Sequence, residues 1–137
     1  LLNANPNLPA IAIDEDQMKL AFINLIRNAC QAMPTGGTIT ILVFIEACHT
    51  NRSLVQSFTQ VDVDRLVISI KDTGIGIPAE EQSQIFDAFY TTKPKGLGLG
   101  LLNVKNVIEA HGGQIVVDSQ TGRGTKFTIR LPLAQPL

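Results

Sequence analysis

Cysteine is scarce in this chain: Cys30 and Cys48 are the whole complement. Two thiols do not make a disulfide framework. Both lie in apolar stretches, which points to small core or near-core residues in a reducing compartment. Charge of one sign is not in excess either. Lys and Arg total 11 against 12 Asp and Glu, for a formal net charge of −1. No basic field therefore exists to drive sequence-independent binding to nucleic acid. No apolar run reaches the roughly 18 residues that a membrane span requires. The best stretch, ITILVFI from Ile39, is strand-sized, so no membrane contact is expected of this segment. The opening LLNANPNLPA lacks the basic start and long apolar middle of a signal peptide. The two histidines, His49 and His111, and the two cysteines form no metal-ligand cluster, and no Ser/His/Asp set can be argued. The phosphate-loop pattern GxxxxGK[ST] is absent. The glycines at 96–100 do not have the GxGxxG spacing of a dinucleotide fold, and no clear strand leads into them. A nucleotide site, if there is one, is of a third type.

What is present suits one folded domain. Hydrophobic residues make up 45% of the 137 and charged residues 17%, the opposite of the balance that keeps a chain disordered. Leu8 to Ile13 reads as an extended entry, since Pro6 and Pro9 oppose helix. Asp14 offers an N-cap, with Gln17 as capping-box partner. The helix then runs to about Met33, where Pro34 and Gly36-Gly37 end it. Its apolar face, Met18, Ala21, Phe22, Leu25, Ile26, Ala29, Ala32 and Met33, opposes a narrow polar stripe. Ile39 to Ala47 is an apolar strand, 48–60 a polar hairpin loop, and Val61 to Lys71 contains a second strand. A glycine-rich turn, DTGIGIP (72–78), leads to a short helix from Ala79 to about Phe86. A loop ends in KPKGLGLG, and a helix follows from Leu101 to about Ala110, where His111 is read as a C-terminal capping side chain. Ile115 to Asp118 and Lys126 to Leu131 are strands joined by a hairpin turn. Mixed helices and antiparallel hairpins predict an α/β (α+β) two-layer sandwich, with a mostly antiparallel sheet on about three helices.

Four places carry potential chemistry. On the first helix, Asn24 and Asn28 point the same way, with Gln17, Gln31 and Arg27 nearby. Asn is a poor helix former, so paired amides suggest oxygen ligands for a hard cation rather than a merely solvated face, although the latter stays open. Asp72 continues the phase of Leu66, Ile68 and Ile70, which turns its carboxylate inward. It either starts a turn by capping Gly74 or accepts a hydrogen bond from an exocyclic amine at a pocket floor. Gly74 and Gly76 permit positive φ and close approach of a flat ligand. Gly96 to Leu101 opens a helix, where backbone N–H groups favour an anion and Lys93 and Lys95 add positive charge; glycines there also serve as hinges. Finally, Thr125 shares the inward phase of Phe127, Ile129 and Leu131, either in a plain hairpin or with its hydroxyl at a pocket end.

In this order and spacing the motifs resemble the ATP-binding catalytic domain of sensor histidine kinases, in the superfamily that includes gyrase-type topoisomerases, the ninety-kilodalton chaperone and mismatch-repair ATPases. NLIRNACQA (24–32) resembles the asparagine box, DTGIGIP the first glycine box, IFDAFYTTK (85–93) the phenylalanine box, and GLGLGLLNVKNVIEAHGGQI (96–115) the second glycine box. GRGTKFTIRLP matches the final strand pair, so the resemblance covers about Asn7 to Pro132. It implies a Bergerat-type fold with an ATP lid.

The resemblance also implies roles. Asn28 would ligate Mg²⁺ bridging the ATP phosphates, with Asn24 beside phosphates or metal. Asp72 would accept from the adenine amine, with Gly76 lining the base and Gln31, Gly74 and Ile77 close by. Phe86 and Phe89 would anchor the lid. Gly96, Gly98 and Gly100 would wrap the phosphates, with Leu97 among them and Leu99 and Leu101 packing the hinge. Thr125 would meet the adenine directly or through a water. Lys93 and Lys95 are γ-phosphate partners on this reading, Lys93 catalytic together with Asn24. Hydrolytic relatives carry a glutamate four residues before the metal Asn; here Asn24 stands there, an amide that takes no proton near neutral pH. That favours transfer to histidine over hydrolysis. The acceptor histidine is not recognisable, since neither His49 nor His111 is followed by an acidic residue. The chain is thus expected to be the single catalytic domain, 1–137, of a longer kinase. Its expected partners are its own dimerisation and phosphoacceptor domain and a response-regulator receiver domain. Its expected location is cytoplasmic, in a soluble protein or in the cytoplasmic part of a membrane-bound sensor.

Overall fold

The computed structural model describes residues 1–4, 6–47, 64–91 and 98–133. The elements in order are β1 (Leu2–Ala4), α1 (Glu15–Gln31), β2 (Ile39–Glu46), β3 (Arg65–Asp72), α2 (Ala79–Gln82), α3 (Gly100–Ala110), β4 (Gln114–Gln120) and β5 (Gly124–Pro132). The strands form a five-stranded sheet in the order β1-β2-β3-β5-β4. Among the described residues, only the β1–β2 pairing is parallel. The expected two-layer, mostly antiparallel architecture is what forms. β1 was not expected: three residues show no periodicity, and its pairing with Ile41–Val43 is distant in sequence. The expected loop at 48–60 lies outside the described residues.

Helix α1 begins where its cap chemistry places it. Asp14 is extended (φ −78°, ψ 107°), and its Oδ1 accepts from the Gln17 N–H at 3.1 Å. Glu15 and Asp16 in the first turn complement the helix dipole. The reciprocal half of the expected capping box is replaced. The Asp14 N–H donates to His111 Nε2 at 2.9 Å, not to the Gln17 side chain. Since Nε2 accepts, Nδ1 carries the proton and donates it to the Val107 carbonyl at 2.7 Å. His111 therefore caps α3, as expected, and also fastens the end of α3 to the start of α1.

The core lies between the helices and one face of the sheet. Met18, Ala21 and Leu25 of α1 and Val104 and Ile108 of α3 meet Leu66, Ile68 and Ile70 of β3 and Phe127, Ile129 and Leu131 of β5. Each large aliphatic side chain buried there contributes about 1.5–3 kcal/mol. Cys30 does not join it; it is exposed, contrary to the core reading. At about 100° per residue, Ala29 takes the core position and Cys30 turns outward with Ile23 and Arg27. Ile26, also expected on the core face, is exposed as well. Cys48 is outside the described residues. On the opposite face of the sheet, Val67 and Ser69 are buried too, flanked in register by Phe44 and Leu42. That fits the central place of β3.

Helix α2 is shorter than expected. It stops at Gln82 and gives way to turns. Those turns let Ile85 enter the core and set Phe86 edge-on to Phe127, with ring centroids 6.3 Å apart at 76°.

Candidate functional site

Strand register builds the floor of the site. Ile39 lies opposite Asp72, and Ser119 opposite Thr125. The β3–β5 register, with Lys71 opposite Lys126, brings Asp72 beside Thr125 one step further on. One row on the helix side of the sheet end thus reads Ile39, Asp72, Thr125, Ser119. Asp72 is only 4% exposed, so its inward phase is as expected. A carboxylate buried this deeply must find donors. Its Oδ1 accepts from the Gly74 N–H at 2.8 Å and from the Thr125 N–H at 3.2 Å. The turn-capping role and the pocket-floor role therefore do not compete: both backbone bonds fall on Oδ1, and neither uses Oδ2.

The glycine-rich turn after Asp72 is held from three sides. The Ile75 N–H donates to the Ala32 carbonyl at the end of α1 (3.0 Å), and the Ile75 carbonyl accepts from the Gly122 N–H (2.7 Å). The Ile77 N–H donates to Ser119 Oγ at 2.8 Å. Gln82 Nε2 then bridges the Ile77 and Ser119 carbonyls at 2.9 and 3.0 Å. Gly76 adopts φ +75°, and a Cβ there would collide with the Gln120 carbonyl; no other residue fits. Ser119 and Gln82 were not legible as site residues, because only strand register and tertiary contact bring them to the turn. An open groove of about 460 Å³ borders this junction, lined by residues including Ile77, Gln82, Ser119 and Arg123.

Asn24 and Asn28 are both half-buried on α1, and Gln31 is exposed one turn further on. The Ala32–Ile75 bond draws the C-terminal end of this helix to the turn beyond Asp72. At the other border stands Phe89, expected as an anchor of the lid. It is 74% exposed. Its backbone has φ +64°, and its N–H donates to the Gly98 carbonyl at 3.0 Å. Gly98 itself has φ +70°, and a Cβ would run into the Phe89 backbone. Leu99 is the N-cap of α3 and supplies no side-chain bond to it. Gly100 starts the helix, and Leu101 packs against the core. Lys93, Lys95, Gly96 and Leu97 lie outside the described residues. Beside this border, desolvation raises the Tyr90 phenol above its ordinary value; the hydrogen-bonded Glu81 and the charges of Glu81 and Glu80 add to the rise.

Among the described residues, no group of three or more His, Cys, Asp or Glu could hold a metal ion. A metal here would rest on amide oxygen. Oxygen donors suit a hard cation such as magnesium, which keeps several waters and shares its shell with substrate phosphates.

This arrangement defines a class. The chain belongs to the histidine kinase-, DNA gyrase B- and HSP90-like ATPase family, which matches residues 13–135. Its particular likeness is to sensor kinases. It is 36% identical over 148 residues to sporulation kinase E of Bacillus subtilis (strain 168), covering 98% of this chain and 18% of that protein. It is 40% identical over 129 residues to the sensory histidine kinase/phosphatase NtrB of Azospirillum brasilense, covering 94% of this chain and 32% of that protein. The fold is similar to the mycobacterial sensor histidine kinase MprB, with a TM-score of 0.74 and 28% identity over 99% of this chain and 81% of that one. It is also similar to full-length ShkA in complex with AMPPNP, with a TM-score of 0.75 and 27% identity over 98% of this chain and 25% of that one. The chain spans less than a third of the length of these curated relatives.

Proposed function

We propose that the chain binds Mg·ATP and gives its γ-phosphoryl group to a histidine carried on a dimerisation segment, for relay to an aspartate of a response regulator. The observation that carries the reading is the division of labour within Asp72. Oδ1 is occupied by two backbone donors, which fixes the carboxylate and leaves Oδ2 to accept from an adenine amine. Thr125 and Gly76 line the same base. Asn28 is the amide ligand for magnesium, and Asn24 lies beside the phosphates. Magnesium held there by Asn28 would supply charge neutralisation to the phosphates. Gly98, Gly100 and the first turn of α3 face the phosphates with backbone N–H groups, and the sequence resemblance assigns Gly96, Lys93 and Lys95 to the same phosphates.

Transfer forms an N–P bond from the acceptor imidazole as the Pγ–O bond to ADP breaks. A neutral imidazole is already nucleophilic, so no protein base is needed, and the work is positioning and charge neutralisation. Asn24 supports this reading over hydrolysis, because an amide cannot take a proton from water. We place this segment in the cytoplasm, with its ATP. The test is incubation with γ-labelled ATP and a purified acceptor hairpin. Acid-labile, base-stable label on the hairpin is expected. ATP binding without any phosphohistidine would leave only a nucleotide-binding module, and steady phosphate release by the chain alone would make it a hydrolase.

A further inference from the structure

We propose that Ser119 sets the purine selectivity of the site, by fixing which way the Thr125 hydroxyl directs its proton. The inference rests on the nucleotide reading above and adds a residue to it. Ser119 sits on β4 directly opposite Thr125. Its Oγ has three polar neighbours: the Ile77 N–H at 2.8 Å, the Gly124 carbonyl at 3.0 Å and Thr125 Oγ1 at 2.8 Å. A backbone N–H can only donate, and a carbonyl can only accept. The single Ser119 proton therefore goes to Gly124. The contact with Thr125 is then a hydrogen bond only if Thr125 donates. This assignment satisfies all three contacts at once; the reverse one strands the Gly124 contact.

The consequence lies at the ligand side. With its proton committed to Ser119, Thr125 Oγ1 offers lone pairs alone. Asp72 Oδ2, next along the same row, is likewise an acceptor. The floor thus presents acceptors on two adjacent strands. Adenine meets it with an exocyclic amine, which donates. Hypoxanthine and guanine carry a carbonyl oxygen at that position, and two facing acceptors in a largely buried site leave both unpaired. A site built around a donor rejects the analogue that lacks one. Without the Ser119 oxygen, the Thr125 hydroxyl is free to turn and donate to that carbonyl. Ser119 is therefore a positioning residue that acts through Thr125.

The experiment titrates ATP and inosine triphosphate, each with magnesium, into the chain and its variants by calorimetry, with thermal unfolding of every variant. The unaltered chain is expected to prefer ATP. Ser119→Ala is expected to shrink that preference roughly five- to tenfold, the worth of one neutral hydrogen bond. Ser119→Thr, which keeps the hydroxyl, is expected to retain it. Should Ser119→Ala not fold, Thr125→Val removes the repelling lone pairs while the Ser119 side chain stays in place, and the preference must fall there too. Equal loss of both affinities in Ser119→Ala, or an unchanged ratio in Thr125→Val, would overturn the inference and leave Ser119 a packing residue. If the unaltered chain binds neither nucleotide, the nucleotide reading itself falls, and this inference with it.

Discussion

Replacing Asp72 with asparagine separates what this residue does for the fold from what it does for a ligand. The carboxylate is 4% exposed, and its Oδ1 accepts two backbone N–H groups, from Gly74 and Thr125. Asparagine has the same shape and one carbonyl oxygen. The two donors hold that oxygen where Oδ1 was, so the amide NH₂ takes the place of Oδ2. The turn keeps its bonds, and the ligand-facing group changes from acceptor to donor. Against an adenine amine, that removes a charge-assisted hydrogen bond worth roughly 1.5–3 kcal/mol. The dissociation constant for ATP should rise by about 10- to 150-fold. Unfolding should change little. Asp72→Ala is the contrast: it strands both buried N–H groups, at about 1–3 kcal/mol each, and should lower stability as well as affinity. Calorimetric titration with ATP, paired with urea unfolding, reads both quantities. An Asp72→Asn protein that binds ATP as tightly as the parent would refute the assignment of Oδ2 to the base. One that unfolds like Asp72→Ala would refute the division between the two oxygens.

Three further expectations follow from other parts of the site. Asn28→Ala should abolish the tightening of ATP binding by magnesium; an equal magnesium effect in titrations of parent and variant would remove Asn28 as the metal ligand. Gly98→Ala places a Cβ against the Phe89 backbone at φ +70°, and should cost more than about 1 kcal/mol in urea unfolding; a neutral result would mean that this junction relaxes freely. The Tyr90 phenol is raised above its ordinary value of 10.0 in the fold, so the fold favours the protonated form. That contribution is complete below about pH 10 and is lost as pH rises past it. Tyr90→Phe should therefore flatten the decline of melting temperature between pH 9.5 and 11, and parallel declines would contradict the cause given.

Much of this was legible because local signals agreed with one another. Asp14 caps α1, and the alternation Leu66, Ile68, Ile70, Asp72 turns the acid inward in the folded sheet as in the sequence. The features that were not legible share one physical trait: each is decided by a partner distant in the chain. β1 exists through its pairing with β2. The Asp14 N–H goes to His111 because folding brings an imidazole acceptor to it, ahead of the nearby Gln17 side chain. Ser119 becomes a hub only through the β4–β5 register. Cys30 and Ile26 misled because α1 is apolar over more than one face. Leu20 and Ile23 are exposed as well, and a helix of that kind does not announce which apolar residues the core will take.

A purine nucleotide bound as proposed lies against the end row of the sheet, with its base at Asp72. Amide resonances of the chain, followed while AMPPNP and magnesium are added, test this most directly. Large saturable shifts are expected for Gly74 and Thr125, the two N–H groups that share Asp72 Oδ1, and small ones for residues such as Val116 on the opposite face of the sheet. Nucleotide binding that leaves Gly74 and Thr125 unmoved would contradict it.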